Sequence, residues 1–278
     1  MKIKGLLFGL MMVLGSLAHA EDSATSTTST NIWDKLKKSP FSMSYLNDAW
    51  ISAKGANGLT TDHYLYLNYK IDKYHKLTLK PIFRTTIDKA QKAQGDYHTE
   101  LYTTEFRFSR SAILTEDKHG VNASFMLRNY FANDNTRKTR GYDSYHYAYG
   151  VFSKTFGKYS LSSTPFILVY NRNADSKTTG AATHVWSASL GHGYQFNDNF
   201  GVSYTNTYYS YRYDNAEKNT EYLLSTLSLD YAFNSGVSVS LYYEGYILNT
   251  TDGNLFSSYR PEWTEEAAIG TLVSLPIF

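Results

Sequence analysis

Residues 227–243 read LSLDYAFNSGVSVSLYY. Leu227, Leu229, Tyr231 and Phe233 alternate with Ser228, Asp230 and Ala232. After Asn234-Ser235-Gly236 the alternation resumes, with Val237, Val239, Leu241 and Tyr243 set against Ser238, Ser240 and Tyr242. Period two on both sides of a short Gly-containing turn defines a β-hairpin with one apolar face. The pattern is not local. From Phe41 onward, twelve segments alternate in this way, at roughly 41–54, 63–71, 77–88, 99–110, 121–132, 144–155, 159–171, 183–196, 200–213, 221–233, 237–248 and 265–278. The chain is therefore expected to be all-β. What remains open is the cover for the apolar face: a second sheet in a soluble sandwich, lipid in a membrane barrel.

The connections decide between the two. Those after even-numbered segments are short: DKYHK (72–76), LTEDKHG (114–120), FGK (156–158), NDN (197–199) and NSG (234–236). Those after odd-numbered segments are mostly longer, as at 89–98, 133–143, 172–182 and 249–264. A sandwich has no reason to sort its loops by parity. A transmembrane barrel has short turns at one rim and longer loops at the other. Most segments also have the length needed to cross a bilayer at a tilt. Composition agrees. The chain holds 26 Tyr and 15 Phe, yet its mean hydropathy is −0.41, the balance expected when only alternate residues meet lipid.

The first residues set the compartment. Lys2 and Lys4 precede an apolar stretch from Gly5 to Leu17, followed by Ala18-His19-Ala20. This is the pattern of a signal peptide over 1–20, cleaved before Glu21. Residues 21–40 read as a polar leader and a short helix, Ile32–Ser39, expected to anchor at the barrel rim or to plug the lumen. Residues 41–278 form the barrel. Without Lys2 and Lys4 the formal charge of +2 falls to zero, which argues against a nucleic-acid partner. With no Cys, an exported chain has neither disulfides nor thiolate metal sites.

The signal peptide, the twelve alternating segments, the sorted loops and Phe278 together resemble the Gram-negative outer-membrane β-barrels. The resemblance is one of architecture and covers about 230 residues. Barrels of that class usually end in a strand with aromatic or apolar residues alternating back from a terminal Phe, which their assembly machinery reads. In AAIGTLVSLPIF, Phe278 and Leu272 fit that signal, whereas Pro276 and Ser274 depart from it. The resemblance implies a transmembrane antiparallel up-and-down β-barrel of about twelve strands in the cell outer membrane, with both termini periplasmic. It implies outer-membrane lipid, lipopolysaccharide and the assembly machinery as partners. The expected function is passive passage of small hydrophilic solutes such as oligosaccharides, with anionic ones as candidates, as in small twelve-stranded solute-specific channels. Two alternatives stand beside it: a barrel whose surface loops bind or adhere, and an outer-membrane phospholipase-type enzyme.

Period two assigns the faces. Leu77, Leu79, Pro81 and Phe83 oppose Thr78, Lys80 and Arg84; Tyr102, Phe106 and Phe108 oppose Thr103, Glu105 and Arg107; Phe125 and Leu127 oppose Ser124 and Arg128; Leu65, Leu67 and Tyr69 oppose Asn68 and Lys70. A Lys or Arg at the bilayer midplane costs about 2–4 kcal/mol. Lys70, Lys80, Arg84, Arg107 and Arg128 are therefore expected to line the pore as a basic track along one wall, with Glu105 beside them. Asp48, Asp230 and Glu244 would form an acidic wall across the lumen. Tyr145, Tyr147 and Tyr149 are expected in an interfacial girdle, and Tyr209 and Tyr211 are candidates for the lumen.

Catalytic signals are sparse. There is no glycine-rich phosphate loop and no His-Glu-x-x-His motif. His184 and Ser187 fall on opposite faces of one segment, while Ser144 and His146 share a face. No catalytic residue, metal site or cofactor is assigned.

Overall fold

The computed structural model describes residues 36, 38–52, 58–87, 98–174, 176, 180–214, 219–250 and 267–278. The expected signal peptide, the leader and most of the short helix before residue 36 lie outside this set. So do parts of the longer connections, at 89–97, 177–179 and 251–266. The barrel consists of β1 (Phe41–Ser52), β2 (Leu59–Lys70), β3 (His75–Ile87), β4 (His98–Leu114), β5 (Asn122–Ala132), β6 (Tyr142–Phe156), β7 (Tyr159–Arg172), β8 (His184–Gln195), β9 (Phe200–Arg212), β10 (Thr220–Ala232), β11 (Ser238–Thr250) and β12 (Ala268–Pro276). Each strand pairs antiparallel with its sequence neighbours, and β1 pairs with β12, so the sheet closes. Met43 N–H donates to the Phe278 carbonyl at this seam (3.0 Å). Closure leaves no free edge.

The fold is inside-out relative to a soluble domain. Trp186, Leu190, Leu227, Leu229 and Leu241 are exposed on the outer wall, whereas Glu105 and Lys80 are among the most buried side chains, 0% and 3% exposed. Strand pairing explains the parity. Leu229 sits opposite Leu241 and Asp230 opposite Ser240, so one face of this hairpin is apolar and the other polar.

Local chemistry sets the ends. In the β2–β3 turn, Asp72 accepts the backbone N–H groups of Tyr74 (2.7 Å) and His75 (2.8 Å) and contacts the His75 ring. These donors hold its carboxyl down to about 2. Two short helices, α1 (Glu116–His119) and α2 (Asp134–Arg140), occupy the β4–β5 and β5–β6 connections. Each is followed by a glycine with φ of 72°, Gly120 and Gly141, the left-handed position where glycine carries no Cβ penalty. Pro81 and Pro165 fall where the β2–β3 and β6–β7 ladders are interrupted, as expected of residues that cannot donate a ladder bond.

Candidate functional site

The interior of β3, β4 and β5 carries a compact charged cluster. Register places Lys80 opposite Glu105 and Arg107 opposite Arg128. Glu105 is the common partner of all three cations. Its Oε1 accepts from Arg107 Nε (2.7 Å) and Arg128 Nε (2.6 Å), its Oε2 from Arg128 Nη2 (2.8 Å), and Lys80 Nζ pairs with Oε2. One carboxylate against three cations leaves a positive excess. Tyrosine faces surround it: Lys80 Nζ lies 4.8 Å from the Tyr64 ring centre and 5.2 Å from that of Tyr66, and the Arg128 guanidinium 5.6 Å from those of Tyr147 and Tyr149. Aromatic faces favour cations held there.

Arg84 forms a separate pair. Its Nε and Nη2 donate to Asp62 Oδ1 and Oδ2 at 2.7 and 2.8 Å, a bidentate geometry. Its guanidinium stacks 3.9 Å from the Tyr102 ring centre. Sequence parity placed Tyr102 on the lipid side, and the structure corrects this. A β-bulge between Ile82 and Phe83 adds a residue to β4 and turns Tyr102 into the interior, since a bulge resets the alternation. Asp62 also went unassigned at the sequence level, because the expected segment began at 63 while β2 begins at Leu59. Lys70 joins neither group. It lies exposed at the end of β2, opposite Lys76. The five cations therefore form a three-cation cluster, a neutral pair and one rim lysine, not a continuous track.

Carboxylates on β1, β10 and β11 occupy a different arc and are held by hydroxyl groups. Tyr242 donates to Asp48 (2.7 Å), Thr226 to Glu244 (2.9 Å), and Ser203 and Ser228 to Asp230 (3.2 and 2.8 Å). Tyr242 reaches Asp48 by lying across β12 at Gly270, where any Cβ would overlap its ring.

A cavity of about 390 Å³ brings the arcs together. It is bounded by Asp48 on β1, Asp62 and Tyr64 on β2, Lys80 and Arg84 on β3, Tyr102 on β4, Arg128 and Tyr130 on β5, Tyr145 and Tyr147 on β6 and Leu272 on β12. In strand order β6 and β12 lie half a circuit apart, so the cavity reaches across the lumen.

Toward the rim of the longer connections, the interior becomes aromatic. Ring-to-ring contacts run from Tyr142 to Tyr145 (5.4 Å), Tyr145 to Tyr130 (4.6 Å), Tyr130 to Tyr147 (5.6 Å), Tyr147 to Phe166 (5.4 Å), Phe166 to Tyr209 (6.0 Å), Tyr209 to Tyr222 (5.4 Å) and Tyr222 to Tyr246 (5.4 Å). The belt spans β5 to β11. Tyr209 and Tyr211 belong to this inner belt, as does Tyr170, which contacts Tyr142 and Tyr145. The girdle expectation for Tyr145, Tyr147 and Tyr149 is overturned. Tyr145 and Tyr147 line the cavity, and Tyr149 Oη accepts from Arg128 (3.2 Å). Composition showed that tyrosine was abundant, but with aromatics on both faces of these segments it did not show which ones turned inward.

On the outer wall, His146 Nδ1 meets Asn129 Oδ1 at 2.7 Å, while Ser144 is buried without a hydrogen bond to His146 among the described residues. His184 contacts the neighbouring Thr183 hydroxyl at 2.9 Å. Among the described residues no group of three or more His, Cys, Asp or Glu is placed to hold a metal ion.

The described strands thus form a closed twelve-stranded antiparallel barrel with an apolar outer wall and a charged lumen. No family model matches the chain, and no curated protein does. Solved structures do. An outer membrane channel from Pseudomonas putida F1 aligns with 86% of this chain and 96% of its own length, at a TM-score of 0.57 and 11% identity. The NanC porin aligns with 84% of this chain and 97% of its own length (TM-score 0.52, 8% identity). The KdgM porin, solved in complex with disordered oligogalacturonate, aligns with 85% of this chain and 99% of its own length (TM-score 0.50, 7% identity). At these identities the likeness is one of fold.

Proposed function

We propose that the protein is a passive channel of the outer membrane for small hydrophilic solutes, with a preference for anionic ones such as acidic oligosaccharides. The observation that carries this reading is the segregation of charge around the lumen. Lys80, Arg107 and Arg128 share the single carboxylate of Glu105 on one arc, and Asp48, Asp230 and Glu244 are held by hydroxyls on another. A narrow, charge-lined lumen concentrates the field between such arcs, and the cation excess confined to the β3–β5 arc draws anionic groups to that wall. The porin fold supports the reading, and the oligogalacturonate bound to the KdgM porin is an acidic saccharide.

In this reading both termini face the periplasm, since an even number of strands returns the chain to the rim of short turns. Lipopolysaccharide and outer-membrane lipid surround the barrel, the assembly machinery inserts it, and it has no nucleic-acid partner and no enzymatic activity. The hydrolase alternative is disfavoured because Ser144 is buried and not hydrogen-bonded to His146. The test is the reversal potential of the purified protein in a planar bilayer under a KCl gradient. The parent should prefer anions. The preference should weaken with salt, as the Debye length shrinks from about 10 Å at 0.1 M to about 3 Å at 1 M. Arg107→Gln combined with Arg128→Gln should move the potential toward cation selectivity. A parent that prefers cations, or does not conduct, would count against the proposal.

A further inference from the structure

We infer that the tyrosine belt near the long-connection rim is a binding site for saccharide rings, which a solute occupies on its way to the charged cluster. The inference rests on the channel reading and adds a second, chemically distinct site to it. Three observations carry it. The belt is continuous and bends around the lumen through ring contacts of 4.6–6.0 Å from β5 to β10, so it offers a succession of flat apolar faces. It is also almost entirely tyrosine, Phe166 being the exception. Most telling is the state of the hydroxyls. No hydrogen bond among the described residues engages those of Tyr142, Tyr145, Tyr147, Tyr170 or Tyr209. Nor are these hydroxyls among the buried polar atoms left without a partner, which among the described residues are Thr115 Oγ1 and Ser210 Oγ. All five side chains are half-buried in the lumen wall.

A solute lying on these rings covers their faces and reaches their hydroxyls. An aromatic acid would cover the faces and leave the hydroxyls unpaired, at the desolvation cost of an unmade hydrogen bond. A polyhydroxylated ring presents an apolar C–H face to the tyrosine and hydroxyls at its edge, so it satisfies both parts of the side chain. The belt adjoins the positive cluster, because Tyr130 and Tyr147 are shared between them: each ring faces Arg128. A saccharide bearing carboxylates thus passes from stacking to ion pairing without leaving the wall.

The experiment measures block of KCl current by trigalacturonate, maltotriose and phenylacetate. It uses the parent, a Tyr145→Leu/Tyr209→Leu variant and a Tyr145→Phe/Tyr209→Phe variant. Both saccharides should block the parent, trigalacturonate more strongly. The Leu variant should lose about tenfold in saccharide affinity and the Phe variant part of that. Should the Leu variant not fold, the Phe variant alone reads the hydroxyl contribution. Equal saccharide block in parent and variants would overturn the belt, and so would block by phenylacetate without block by either saccharide. A parent without KCl conductance would sink the channel reading instead. Titration calorimetry of the same probes in detergent would then test the belt by the same two outcomes.

Discussion

Glu105 shows how much one side chain decides in this lumen. Three cations converge on its two oxygens, and it is fully buried, as Lys80 nearly is, while Arg107 and Arg128 are only partly so. Removing one member of a buried ionic group leaves the others uncompensated, typically at about 3–5 kcal/mol. Glu105→Gln should therefore destabilise the barrel by that order, read from urea unfolding in lipid vesicles. Asp62→Asn should cost less, because it strands one cation, Arg84, which is still stacked on Tyr102. Equal effects would mean that the cluster does not act as a unit. The sequence exposed the ingredients of this site and not its geometry. Alternation put Lys80, Arg107, Arg128 and Glu105 on the inner face. Their convergence on one carboxylate depends on the register between strands, which a single strand's pattern does not contain. Asp62 was lost to a boundary set a few residues late, and Tyr102 to a bulge that parity does not foresee.

At the scale of the strand, period two was nearly sufficient. Every expected segment corresponds to a strand, because one-sided burial forces alternation along the whole length. The ends were less legible. β4 continues to Leu114, beyond the expected boundary, through an irregularity containing Ala112 at φ of 52°. Nothing in the hydrophobic pattern marks such a kink. The two faces of β10 make a clean test. Leu227 lies midway along the strand and is 47% exposed on the outer wall, next to the inward Ser228. Leu227→Arg should destabilise folding into vesicles by about 2–4 kcal/mol, and Ser228→Arg by much less. Comparable losses in both, measured by denaturant titration, would mean that the two faces meet the same medium.

For the whole molecule, the sorting of connections was the most informative signal, and it carries the orientation proposal. A peptide tag inserted after Gly180 should be labelled on intact cells, and one inserted after Ser235 only after permeabilisation. The reverse pattern would invert the barrel in the membrane, and labelling at both sites would remove it from the membrane altogether. The substrate was not legible at this scale, because strand count and closure are shared by barrels of different purpose. Closure itself imposes an order in time. Every hairpin from β1–β2 to β11–β12 joins neighbours in sequence, but the seam joins Ser44 to Pro276 across almost the whole chain. Contacts so remote in sequence are the slowest to form, since loop-closure entropy must be met before they return anything. Until then β1 and β12 each present an open row of backbone donors and acceptors above an apolar outer face. That intermediate is prone to aggregation. The finished cylinder has no edge to offer a neighbour, whereas the chain in transit has two, so the hazardous period for this protein is its assembly.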